Sequence, residues 1–255
     1  MRPKPQLLAI LLAGAAITAA CSASSPPGKP ADMKAVAADP ARAADVASDA
    51  RRHGPEILAF AGLRQGAVVI DLIPGGGYWT RLFAKAVGPQ GHVYGIWPKP
   101  YADEAKTDVE AYAKLAGSPD FPNVTATTEP ATEVAAPAQA DLVFTAQNYH
   151  DYPDKFMGSI DPAVFNKAVF AALKPGGVFL VIDHVAAPGS AMRDTDTLHR
   201  IDPAIVKQQV MAAGFVFEGE SPLLANPADD HSLIVFDKAI RGKTDQFIYK
   251  FRKPG

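Results

Sequence analysis

From residue 67 onward, short apolar runs alternate with amphipathic segments. Val68–Leu72, His92–Ile96, Val124–Thr127, Asp141–Thr145 and Val178–Asp183 are brief, rich in β-branched residues, and read as strands. Between them, Tyr78–Val87, Ala102–Leu115 and Pro162–Leu173 place apolar residues at helical spacing. Asp202-Pro203 opens a further helix running to about Ala213, with the aspartate as cap and the proline at the first helical position. Phe215–Glu220 and Ser232–Phe236 read as the last two strands. Ahead of the first strand, Ala41 to Phe60 is helical in pattern, and Gly54-Pro55 divides it in two. Strands alternating with helices imply right-handed βαβ units and a mostly parallel, doubly wound α/β sheet.

The junction after the first strand is the most informative local feature. Asp71 ends the apolar run, and Gly75-Gly76-Gly77 then lead into the amphipathic segment from Tyr78. Glycines let a backbone approach a ligand without Cβ obstruction, and the helix N-terminus behind them carries partial positive charge. Such a turn holds a polar or anionic small molecule at the carboxyl edge of a parallel sheet.

Composition bounds the setting. The chain has 255 residues, 48% hydrophobic and 20% charged, enough for one α/β domain with a substantial core. Residues 1–21 differ from the rest: Arg2 and Lys4 precede an apolar run from Leu7 to Ala20, and the small residues Thr18-Ala19-Ala20 lead to Cys21. That order is an export signal, and the lone cysteine stands where a lipoprotein leader is cleaved and acylated. The usual leucine three places before the cysteine is Thr18 here, so cleavage after Ala23 is the alternative. Residues 22–40, rich in Ser, Pro and Ala, read as a flexible tether, leaving 41–255 as the folded domain. Without Arg2 and Lys4 the net charge moves from −2 to −4, which argues against a nucleic-acid partner. Arg241 to Lys253 is locally basic and reads as a solvated surface.

Three motifs resemble the class I S-adenosylmethionine-dependent methyltransferases. Asp71-Leu72-Ile73-Pro74-Gly75-Gly76-Gly77-Tyr78-Trp79-Thr80 lies over the first motif of that family, and Ala140-Asp141-Leu142-Val143-Phe144 over its fourth strand. Leu173-Lys174-Pro175-Gly176-Gly177 with Val178–His184 is similar to its Lys-Pro-Gly-Gly turn and fifth strand. Within that superfamily, Pro74–Tyr78, Asn148–Asp151 and Leu198–Asp202 resemble motifs of a group of predicted bacterial methyltransferases. The resemblance implies a Rossmann-like sheet of seven strands in order 3-2-1-4-5-7-6, the last inserted antiparallel. It also implies S-adenosylmethionine as cofactor and a small-molecule acceptor. Asp71, Gly75 and Gly77 would surround the methionine half, and Glu129 the adenine amino group. Two positions depart from the pattern. Ile73 stands in place of the first motif glycine, and Trp97 in place of the acid that grips the ribose. An indole stacks on an adenine face but accepts no hydroxyl hydrogen bonds, which leaves Tyr101 or Asp103 to hold the ribose.

The acceptor side falls on the loop after strand four. Asn148 is placed to orient a nucleophile and His150 to take its proton as general base, with His184 at the end of strand five beside them. His199 joins the same edge in this fold, and three histidines with Asp151 and Asp183 also suit a metal ion. None has local ligand spacing, so no metal ligand is assigned. His53, His92 and His231 read as structural or exposed, and Tyr78 and Trp79 as core or pocket wall. The leading reading is a methyltransferase acting on an O, N or S nucleophile of a small molecule. Its rivals are a non-catalytic ligand-binding lipoprotein on the same scaffold and a metal-dependent exported enzyme. The leader generates one test: Cys21→Ala releases the protein from the membrane fraction if a lipid on that residue anchors it, and leaves fractionation unchanged if it does not.

Overall fold

The computed structural model describes residues 28–255. Cys21, the rest of the leader and the start of the expected tether lie outside the described residues. In chain order the helices are α1 (Met33–Ala37), α2 (Val46–Arg52), α3 (Gly54–Ala61), α4 (Tyr78–Val87), α5 (Lys99–Glu104), α6 (Lys106–Ala116), α7 (Pro162–Ala172), α8 (Thr195–Leu198) and α9 (Pro203–Ala212). The strands are β1 (Val68–Leu72), β2 (His92–Pro98), β3 (Val124–Glu129), β4 (Ala140–Ala146), β5 (Leu173–His184), β6 (Val216–Ser221) and β7 (Gln246–Arg252). No helix among the described residues is long and apolar enough to cross a membrane.

Seven strands form one sheet in the order β3-β2-β1-β4-β5-β7-β6. All neighbours are parallel except β7, which runs antiparallel to both β5 and β6. The expected doubly wound order is therefore observed. β1 pairs with β2 through Val68–His92 and with β4 through Val69–Leu142, so chain direction across the sheet reverses between β1 and β4. Helices cover both faces, which is why the central strands are continuous apolar runs rather than alternating ones. α4 packs its buried Trp79, Leu82, Phe83 and Val87 beneath this switch point. Asp202 caps α9 as expected, its carboxylate accepting from Ala204 N–H at 2.9 Å.

Four expectations fail. Ser232–Phe236 is not a strand: it is irregular, and Leu233, Ile234 and Phe236 are exposed. The seventh strand comes instead from the basic tail, Gln246–Arg252, which is not a solvated surface. Phe247, Ile248 and Phe251 are buried between β5 and β6. Its cations survive at the sheet because Glu218 of β6 takes both Arg252 nitrogens (2.7 and 2.8 Å) and pairs with Lys250 at 3.3 Å. The reading failed because those charges masked a strand whose apolar positions are paired on both sides. The helix expected over Ala102–Leu115 is two helices broken at Ala105. The segment expected as tether is folded over its last part, where α1 sets Val36 into the core.

A chain ending at Asp245 lacks β7 and separates β5 from β6. It should give no cooperative thermal transition by circular dichroism. Ile248→Ala in the full chain should cost about 2–5 kcal/mol of stability in denaturant unfolding, the range for a large-to-small core change.

Candidate active site

At the end of β1 the backbone takes three left-handed steps. Ile73 has φ +53°, Gly75 φ +53° and Gly77 φ +79°, after which α4 begins. A β-branched residue at positive φ is a strained outlier, of order 1–3 kcal/mol. Ile73 is held there by its N–H bond to the Ile96 carbonyl of β2 at 2.9 Å. The glycines do different work. A Cβ on Gly75 would meet nothing within 4 Å, whereas one on Gly77 would lie 2.7 Å from Leu115 and 3.5 Å from Tyr112 of α6. Gly75 is open to a cavity; Gly77 allows α6 to pack. The turn is clamped by Arg81, which donates to the Gly76 carbonyl at 2.9 Å and forms a two-armed pair with Asp45, both contacts 2.6 Å.

The cavity is about 770 Å³ and lies at the carboxyl edge of the sheet, over the β1–β4 switch point. Gly75 and Gly76 form one wall and Asn148, Asp151 and the histidines 150, 184 and 199 another. Asp71, Gly77, Trp97 and Glu129 are not among its lining residues. Asp71 is only 1% exposed, with Thr80 Oγ1 donating to it at 2.6 Å, so it ties β1 to α4. Burial, partly opposed by the Thr80 hydrogen bond, raises its carboxyl to about 7. Trp97 sits within β2, paired in register with Thr128, and is buried between Tyr101 and Tyr112 at ring distances of 6.1 and 6.2 Å. Glu129 ends β3 beside Pro98. Besides Asp45 and Asp151, the cavity is lined by two further acids, Glu104 of α5 and Asp108 of α6, which were not foreseen. No local motif marks them, because only the packing of α6 over Gly77 brings them to the turn.

The opposite wall is built on Asp183, fully buried near the end of β5. Its carboxylate accepts His150 N–H at 2.9 Å and His184 N–H at 2.7 Å, and lies 2.8 Å from His150 Nδ1. Asn148 donates to Asp151 Oδ2 at 3.0 Å and to the Tyr101 hydroxyl at 3.3 Å. His150 Nε2 stands 3.3 Å from His199 Nδ1, and His184 Nδ1 stands 2.8 Å from Thr244 Oγ1. Burial alone would depress the His150 imidazole, but Asp183 and Asp151 outweigh it and lift the group to about 9. His184 is driven the other way, to about 4, chiefly by burial. The two acids therefore favour the protonated form of His150, while burial favours the neutral imidazole of His184.

No protein-family model matches this chain, and neither does any curated protein. Solved structures do. An S-adenosylmethionine-dependent methyltransferase from Aquifex aeolicus superposes with a TM-score of 0.58 at 17% identity, over 86% of this chain and 96% of that one. The fold is that of the class I methyltransferases. The glycopeptide N-methyltransferase MtfA, solved with sinefungin, gives a TM-score of 0.54 at 16% identity over 81% and 87% of the two chains. A cyclase, SpnF, gives 0.60 at 17% over 80% of each, so the methyltransferase fold also carries other chemistry.

The raised Asp71 carboxyl generates a test. Between its unfolded value near 3.8 and about 7 the unfolded chain releases this proton and the folded chain keeps it, so stability falls as pH rises through that window and levels above it. Asp71→Asn should flatten that fall, read as the difference in thermal midpoint between pH 5 and pH 8. An unchanged pH dependence would show that Asp71 ionises normally.

Proposed function

We propose that this chain is an S-adenosylmethionine-dependent methyltransferase acting on an O, N or S nucleophile of a small molecule. The observation that carries this reading is that one cavity joins the open Gly75–Gly76 turn to the Asn148, His150 and His184 wall. Its size lies inside the roughly 300–1,000 Å³ range of small-molecule sites.

The residues fit the cofactor, though by a different set than the strand ends suggested. Gly75 and Gly76 present bare backbone, and Glu104 and Asp108 supply carboxylates for hydroxyl groups, Trp97 being buried away from the cavity. When bound, the cofactor supplies an electrophilic methyl group. The chain's own task is then to orient the acceptor and manage its proton. Asn148 commits its amide N–H groups to Asp151 and Tyr101, which leaves Oδ1 to accept a hydrogen bond from the acceptor. His184, which burial holds toward its neutral form, is the group placed to receive the acceptor's proton, with His150 beside it on the same wall. A lipid anchor at Cys21 and an exported location belong to the same proposal and rest on the leader sequence alone. The burial of Trp97 favours one rival, a binding protein without turnover.

Calorimetry with S-adenosylmethionine and S-adenosylhomocysteine tests the cofactor site, and methyl transfer to an added acceptor separates the two readings. Binding of both is expected, and Asp108→Asn should weaken it about tenfold or more, the scale of a lost hydrogen bond to a charged group. Trp97→Phe should leave affinity unchanged, because the indole is in the core. Absence of binding at millimolar ligand would overturn the methyltransferase reading.

A further inference from the structure

Among the described residues, His150, Asp151 and His199 bring three metal-type donor atoms together. His150 Nε2 lies 3.3 Å from Asp151 Oδ1 and 3.3 Å from His199 Nδ1, and His199 Nδ1 lies 3.7 Å from the same Asp151 oxygen. Nitrogen and oxygen ligands bound at about 2.0–2.1 Å in a tetrahedron stand about 3.3–3.4 Å apart, against about 3.0 Å for neighbouring ligands of an octahedron. The triangle has tetrahedral edges, one of them slightly long.

Each donor is also oriented from behind. Asp183 holds both the Nδ1 and the backbone N–H of His150, so Nε2 is the ring nitrogen turned to the cluster. That carboxylate–histidine arrangement is the usual support of a metal-bound imidazole. Asn148 occupies Asp151 Oδ2, which leaves Oδ1 for the cluster. His199 is held at φ +52° where α8 ends, with its ring 4.9 Å from Phe236. A non-glycine residue in that conformation persists only where its surroundings impose it. His150 and Asp151 are 2% and 4% exposed, while the His199 side chain is 26% exposed, and all three line the cavity. Three protein ligands with one open side is the form of a catalytic rather than a structural zinc site. His184 is not part of the triangle, since its Nδ1 is engaged with Thr244.

We propose that His150, Asp151 and His199 bind a divalent transition-metal ion of the zinc class, with Asp183 as the positioning residue and the fourth position open to the cavity. Imidazole donors exclude magnesium and calcium as preferred ions. The ligand suited to the open position is a small molecule carrying a hydroxyl or carboxylate oxygen. If the methyltransferase reading above holds, that oxygen belongs to the acceptor, and this clause alone rests on that reading; the metal site itself does not.

The test uses the full chain, stripped with EDTA and titrated with Zn2+ alone, followed by calorimetry and by metal content after gel filtration. One equivalent bound at micromolar or lower dissociation constant is expected, and Co2+ should give the intense visible absorption of a tetrahedral site. His199→Ala and Asp151→Asn should each weaken Zn2+ binding by at least a hundredfold. Asp183→Asn should weaken it about 10–100-fold, the scale of lost support behind a ligand. His231→Ala and His92→Ala should change nothing. Because a buried substitution can unfold the chain, the rise in thermal midpoint on adding Zn2+ is read for each variant that keeps the wild-type circular dichroism spectrum. His199→Gln serves if His199→Ala does not fold. No binding by the stripped wild type, or equal binding by the His199 and Asp151 variants, overturns the proposal and leaves a hydrogen-bonded histidine pair. Zinc binding without S-adenosyl binding would keep this site and remove the methyltransferase reading.

Discussion

Burying the Asp183 carboxylate sets the geometry of everything at the carboxyl edge of the sheet. An unpaired charge in that position would cost several kcal/mol, so the chain has to surround it with donors. It does so with the backbone N–H groups of His150 and His184 and the ring of His150. Burial works to raise the Asp183 carboxyl, and the His150 charge and hydrogen bonds reverse that and hold it below the ordinary value. The consequence is mechanical as well as electrostatic. The loop after β4 is fastened to the end of β5, and the orientation of the His150 ring follows from a strand residue rather than from a mobile loop.

Strain is concentrated at the same edge. Seven non-glycine residues adopt positive φ among the described residues, and three of them, Ile73, Gln147 and His199, line this same cavity. Each costs free energy that a more ordinary backbone would avoid, and each is pinned by a neighbour. Ile73 is pinned to β2 and Gln147 N–H to the Ile182 carbonyl. Departures from local preference gathered around one concavity mark it as the place where folding rules give way to function.

The fold was largely legible because its central signals are local. The apolar run of Val68–Leu72, the glycine turn and the amphipathic Tyr78–Val87 segment each reveal their structure within about ten residues, and they appear where expected. β7 was not legible because Lys250 and Arg252 look solvated until Glu218 is known to lie beside them. The site was half legible. Asn148, His150 and His184 share one wall because they follow consecutive parallel strands, a relation topology alone predicts. Asp71, Trp97 and Glu129 were placed by motif position, which fixes distance along the strand but not which way the side chain turns, and Gly77 faces α6 rather than the cavity. Glu104 and Asp108 had no signal at all, since helix packing brings them in.

At the β2 edge, aromatic packing leaves no room for a strand-end acid. Any side chain at Gly95 would collide with the Tyr112 hydroxyl, and Tyr112 in turn sits against Gly77 and beside Trp97. Tyr112 and Trp97 are 0% and 1% exposed, so aromatic volume fills the space beyond the end of β2. An ionised acid in that setting would be desolvated without partners and would neutralise, losing its use as a hydroxyl acceptor. Exposed acids on α5 and α6 escape that penalty while still facing the turn. The carboxylates that the proposed function would use for hydroxyl recognition are therefore carried at exposed helix positions, over a floor that is hydrophobic core.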